Sequence, residues 1–166
     1  MTVEILKRLL AFVVFCLAQA LILNRIHLFG FATPLLYVYF VITFHRGYPK
    51  WAILLWSFLL GLCLDMFSNT PGVAAGSMTL IGLLQPYLLE TFVPRDSTED
   101  MEVSIKTMGW GKFATFSFLL LLIYTLMFFT LEAFNFFNWL QWLMCICGST
   151  ALTYVFILVI ENLRSK

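Results

Sequence analysis

Apolar residues run through this chain in long blocks, with the polar residues collected between them. The blocks fall at about residues 5–23, 28–44, 51–67, 72–92, 113–131 and 138–160. Each approaches the roughly 20 residues that an α-helix needs to cross a hydrocarbon layer about 30 Å thick, and none alternates as a barrel strand would. The pattern predicts six transmembrane helices. The separators are short turns, except for the polar segment 94–112 between the fourth and fifth blocks. Short turns make consecutive helices antiparallel neighbours. The expected fold is therefore an all-α membrane protein, a single integral-membrane domain over residues 1–166 forming a compact bundle of six transmembrane helices.

Breakers refine this outline. Pro34 lies inside the second block and predicts a kink or break there. Pro71 suits the first position of the fourth helix, and Trp51 opens the third at an interfacial level. Ala18-Gln19-Ala20 resembles a signal-peptidase site, but Leu21-Ile22-Leu23 continues the apolar run, so the first block is expected to remain as a span.

Composition agrees with the pattern. The chain is 61% hydrophobic and 11% charged, against about 45–50% and about 25% in soluble domains. Charge adds an orientation. Lys7, Arg8, Arg46, Lys50, Arg95, Lys106, Lys112, Arg164 and Lys166 fall on the N-terminal side of a six-span layout, and Arg25 alone falls on the other. By the positive-inside rule both termini are expected to be cytoplasmic. No basic patch exceeds two adjacent cations, so nucleic acid is not an expected partner.

The polar residues inside or beside the spans are the candidates for chemistry. Ser57, Gly61 and Asp65 follow at intervals of four and share one stripe of the third helix. Small residues in such a stripe let a neighbouring helix approach closely. Gly72 and Gly76, then Thr79 and the neighbouring Ala75 and Gly82, supply small residues on the fourth helix, joined to the third by a turn that begins at Ser68. Ser57, Gly61, Asp65, Ser68, Gly72 and Gly76 form the candidate helix-packing or partner-binding site. An acid at this depth is costly unless capped, solvated or partnered. For Asp65, capping and solvation near the outer interface compete with a functional role. Gln19 is a candidate for an interhelical hydrogen bond. The segment from Pro94 to Lys106 reads as a solvated loop, or as an amphipathic stretch through Met101, Val103 and Ile105. The aromatic run 132–142 reads as an interfacial belt.

Catalysis is not expected. No span holds a serine with a histidine base, a pair of intramembrane acids or a metal motif. His27 and His45 fall on opposite sides of the membrane. Cys16, Cys63, Cys145 and Cys147 lie in apolar runs without zinc-ligand spacing and read as buried hydrophobes. No metal or other cofactor is expected.

Gly61-Leu62-x-Leu64-Asp65-x-x-Ser68-x-x-x-Gly72-Val73-x-Ala75 resembles the G-L-x-x-D-x-x-S signature, followed by glycine and alanine, of the MreD family of bacterial rod-shape-determining membrane proteins. Chain length, six short spans and the long loop before the fifth also resemble that family. The resemblance implies a non-enzymatic scaffold of the cell-elongation and sidewall peptidoglycan machinery in the bacterial cytoplasmic membrane. The partners it implies are a bitopic MreC-like protein, an MreB-like filament, a peptidoglycan glycosyltransferase and transpeptidase, and membrane lipids. The family also resembles the six-helix substrate-binding subunits of vitamin-uptake transporters, which supplies the alternative expectation.

Overall fold

A computed structural model describes residues 2–22, 25, 34–134 and 138–166. All regular elements among them are helical: α1 (Thr2–Leu21), α2 (Val38–Ile42), α3 (Lys50–Ser68), α4 (Val73–Phe92), α5 (Ile105–Met108), α6 (Trp110–Ala133) and α7 (Trp139–Arg164). Three of these, α3, α6 and α7, are long and apolar enough to cross a membrane. α1 and α4 are as long as α3, but α1 opens with Glu4, Lys7 and Arg8, and α4 carries Ser77, Thr79, Gln85 and Glu90.

The helix boundaries have local causes. α3 ends where Asn69 adopts a left-handed conformation, φ 56°, and returns its amide to the Asp65 carbonyl. Asparagine is among the few side chains that tolerate this geometry. Gly72, φ +84°, then opens α4. Pro71 therefore stands two residues ahead of the first helical residue, Val73, rather than at that position.

The second apolar block departs most from expectation. Residues 28–33 and His27 lie outside the described residues. The rest of the block is not one long helix: 34–37 is an irregular turn, and only Val38–Ile42 is helical. The rigid ring of Pro34 and its missing amide disfavour a continuous helix at this point. The segment runs antiparallel to α1, with Gln19 bonding Pro34 at one end and Arg8 bonding Thr43 at the other. It forms the centre of the bundle. Val38, Phe40, Val41, Ile42 and Phe44 are all 0% exposed. Phe40 meets the rings of Phe12, Phe15, Phe44 and Trp56 at centroid distances of 5.3–6.5 Å.

The polar segments meet at one end of the molecule. The amides of Arg46 and Gly47 bond the carbonyls of Met101 and Glu99. The Arg46 guanidinium reaches the carbonyls of Pro94 and Ser97. The 94–104 segment is more than a solvated loop, because Val103 is fully buried and Met101 and Ile105 pack on the core. Ser104 and Thr107 cap α5 reciprocally. The first turns of α1 and the last turn of α7 lie at this same end, where Arg164 pairs with Glu102 at 2.7 Å. In the aromatic run, Phe134 and Trp139 are exposed, and residues 135–137 lie outside the described residues.

Candidate functional site

The predicted stripe on α3 is real and faces α4. Ser57, Gly61 and Asp65 are all buried. A Cβ placed on Gly61 would lie 2.6 Å from the Ala75 Cα and 2.7 Å from the Ala74 carbonyl oxygen. One on Gly82 would lie 2.6 Å from the Ser57 hydroxyl. Two backbones are thus in contact at Gly61, and one turn away along α3 a serine meets a glycine of α4. The matching face of α4 is Ala74, Ala75, Met78 and Gly82, which share one side of the helix at steps of three and four residues. Ala75 and Gly82 of the expected small-residue face lie here, and Gly76 does not. Gly76 is exposed, and the nearest atom to its hypothetical Cβ is the Leu131 side chain of α6 at 3.7 Å. Gly72 serves the turn, with open space where a Cβ would stand.

Asp65 joins the two helices chemically. Its Oδ1 accepts from the Ala74 amide at 2.8 Å and the Thr70 hydroxyl at 3.1 Å, while Oδ2 accepts from the Ala75 amide at 2.9 Å. The first amides of a helix have no intrahelical acceptors and carry the positive end of its dipole. Gly72 at the N-cap position has no side chain to meet them. Asp65 supplies that cap from the preceding helix. Of the readings open for this acid, the geometry selects capping, in a form that also locks the α3–α4 turn. Ser68, half-buried, closes α3 beside it.

A second polar system surrounds residues 34–44, where the sequence marks only Gln19. The irregular backbone here has carbonyls and amides that no helix ladder satisfies, and such groups are tolerated within a bilayer only when protein partners reach them. Gln19 of α1 donates to the Pro34 carbonyl at 2.9 Å. Thr153 of α7 accepts from the Leu35 amide at 2.9 Å, and Gln85 of α4 donates to the Phe44 carbonyl at 3.2 Å. The Tyr37 and Tyr124 hydroxyls bond each other across to α6.

Glu161 completes the arrangement from the end of α7. It is 0% exposed, accepts from the Tyr39 hydroxyl at 2.5 Å and the Ile105 amide at 3.1 Å, and lies 3.8 Å from Arg164. The sixth apolar block ends at residue 160, which places this acid beside a basic tail. The only signal for it is an acid three residues before an arginine on one helix, a spacing common on solvated faces.

Cys16 and Cys63 adjoin across α1 and α3, and all four cysteines are free thiols. Among the described residues, no group of three or more His, Cys, Asp or Glu side chains is placed to hold a metal. The carboxylates of Asp65 and Glu161 are each committed to backbone amides and hydroxyls.

Fold and site together define an all-helical protein with three helices long and apolar enough to cross a membrane, organised around a tightly locked α3–α4 pair. No protein family, no curated protein and no solved structure matches the chain.

Proposed function

We propose that this chain is a six-crossing protein of a bacterial cytoplasmic membrane, with both termini cytoplasmic, that acts as an MreD-like scaffold in cell elongation. One observation carries the reading. The residues of the family-like motif, Gly61, Asp65 and Ala75, are the ones that meet: Gly61 admits the Ala75 backbone and Asp65 caps its amide. A motif spent on a rigid helix pair suits a protein that presents a fixed surface to other membrane proteins. The outer side of the pair is apolar, with Leu62, Met66 and Leu83 exposed. The orientation is supported by the clustering of Lys7, Arg8, Arg46 and Arg164 with the 94–104 segment at one end of the bundle.

On this reading α3 and α4 hold a bitopic MreC-like partner, and through it the filament and the peptidoglycan synthases. The test is photo-crosslinking in the native membrane from positions 62, 66 and 83, with position 10 of α1 as the comparison. Capture of a single-span protein of the elongation machinery from the α3–α4 positions is expected. Capture of lipid alone, together with unchanged cell shape on depletion of the protein, would sink the proposal.

A further inference from the structure

At the charged end, a cleft of about 300 Å³ opens between the first turns of α1, the 39–48 segment and the end of α7. The scaffold reading makes no use of it. Arg8 is the cation of interest. Its guanidinium donates to the Thr43 hydroxyl at 3.3 Å and the Thr43 carbonyl at 2.9 Å, and stacks 4.5 Å from the Phe44 ring centre. Each of these partners is neutral. Among the described residues, no carboxylate lies within 4.0 Å of Arg8, whereas Arg164 is already held by Glu102 at 2.7 Å and Glu161 at 3.8 Å. A half-buried guanidinium with no carboxylate in contact is a costly arrangement, and the N–H groups not spent on Thr43 can meet a phosphate oxygen.

The remaining lining defines the anion. Lys7 and His45 stand beside Arg8, and Glu4 lies on the same wall. Arg164 is taken up by Glu102 and the buried Glu161, so Lys7 and Arg8, with Glu4 on their own helix, are the cations left to meet an anion. Ala11 and Phe15 continue the wall as apolar surface, and Leu10, Val14 and Leu17 extend it along the exposed side of α1. A ligand that satisfies both parts has a phosphodiester head and an apolar tail. Basic pockets between membrane helices hold lipid headgroups in this way.

We propose that the cleft at Arg8 binds the phosphodiester headgroup of an anionic phospholipid, with the acyl chain along α1. The inference stands apart from the scaffold reading, since it requires no protein partner.

The experiment is native mass spectrometry of the purified protein, titrated separately with phosphatidylglycerol and phosphatidylcholine, with thermal-shift titrations of inorganic phosphate alongside. Retention of phosphatidylglycerol in preference to phosphatidylcholine is expected. Arg8→Gln should weaken it about tenfold. Because Arg8 also packs on Phe44, two variants at more exposed positions guard against a folding defect. Lys7→Gln should weaken retention and Glu4→Gln should strengthen it, opposite shifts that a structural role would not give. Equal retention of the two lipids, or retention indifferent to all three substitutions, overturns the proposal. Stabilisation by inorganic phosphate without preference between the lipids overturns the assignment to lipid.

Discussion

The Asp65 carboxylate, at the end of one helix, holds the Ala75 amide at the start of the next, 2.9 Å away. Together with the bond to Ala74 it serves as the N-cap that Gly72 cannot supply. Asp65→Ala leaves two buried helix-start amides without acceptors and is expected to cost about 2 kcal/mol. Asp65→Asn keeps one carbonyl oxygen but turns an NH₂ toward an amide, so it should fall between the alanine variant and the parent. Thermal unfolding in detergent ranks the three, and an Asn variant less stable than Ala would contradict the capping geometry.

The same helix pair separates two glycines that look alike in sequence. Gly61→Ala drives a methyl group into the Ala74–Ala75 backbone and should destabilise by about 1–3 kcal/mol. Gly76→Ala meets ordinary van der Waals contact and gains helix propensity, so it should be neutral or up to about 1 kcal/mol stabilising. Unfolding midpoints of the two single variants, measured side by side, decide the point.

Tyr39 and Glu161 lie 122 positions apart and share a bond of 2.5 Å. In a double-mutant cycle, Tyr39→Phe and Glu161→Gln should be non-additive, with a coupling of about 1–3 kcal/mol. Additive effects would mean that the two side chains do not meet. Glu161→Ala, which leaves no oxygen to accept from the Ile105 amide, should in addition show faster proteolysis in the 94–108 segment.

Gln19→Leu removes the donor that satisfies the Pro34 carbonyl, in a place where water does not compete. A cost of about 1–3 kcal/mol is expected, with hydrogen exchange rising in residues 34–44 ahead of α3 and α4. Uniform exchange across the bundle would argue against a local role.

Much of this was legible in the amino-acid order. The blocks at 51–67, 72–92, 113–131 and 138–160 became α3, α4, α6 and α7, because long apolar runs bounded by polar breakers leave a helix as the way to satisfy the backbone. The stripe of Ser57, Gly61 and Asp65 followed from helical period alone. The segment 34–44 was not legible. An apolar run reads the same whether it lies against lipid or is enclosed by protein, and only Pro34 hinted at the break. Gln85, Thr153 and Glu161 escaped notice because their partners lie far away in sequence. Gly76 was misplaced for a finer reason: one residue around α4 turns a side chain by about 100°, enough to move it from α3 to α6.

The central segment also sets an order of events during synthesis. Leu35 and Tyr39 are made more than a hundred residues before the groups that satisfy them, Thr153 and Glu161 of α7. Until α7 is in place, the middle of the bundle holds irregular backbone whose donors and acceptors are incomplete. α7 is thus a clasp on a structure begun well before it. A nascent chain arrested before residue 139 is expected to be a preferred substrate for membrane quality-control proteases.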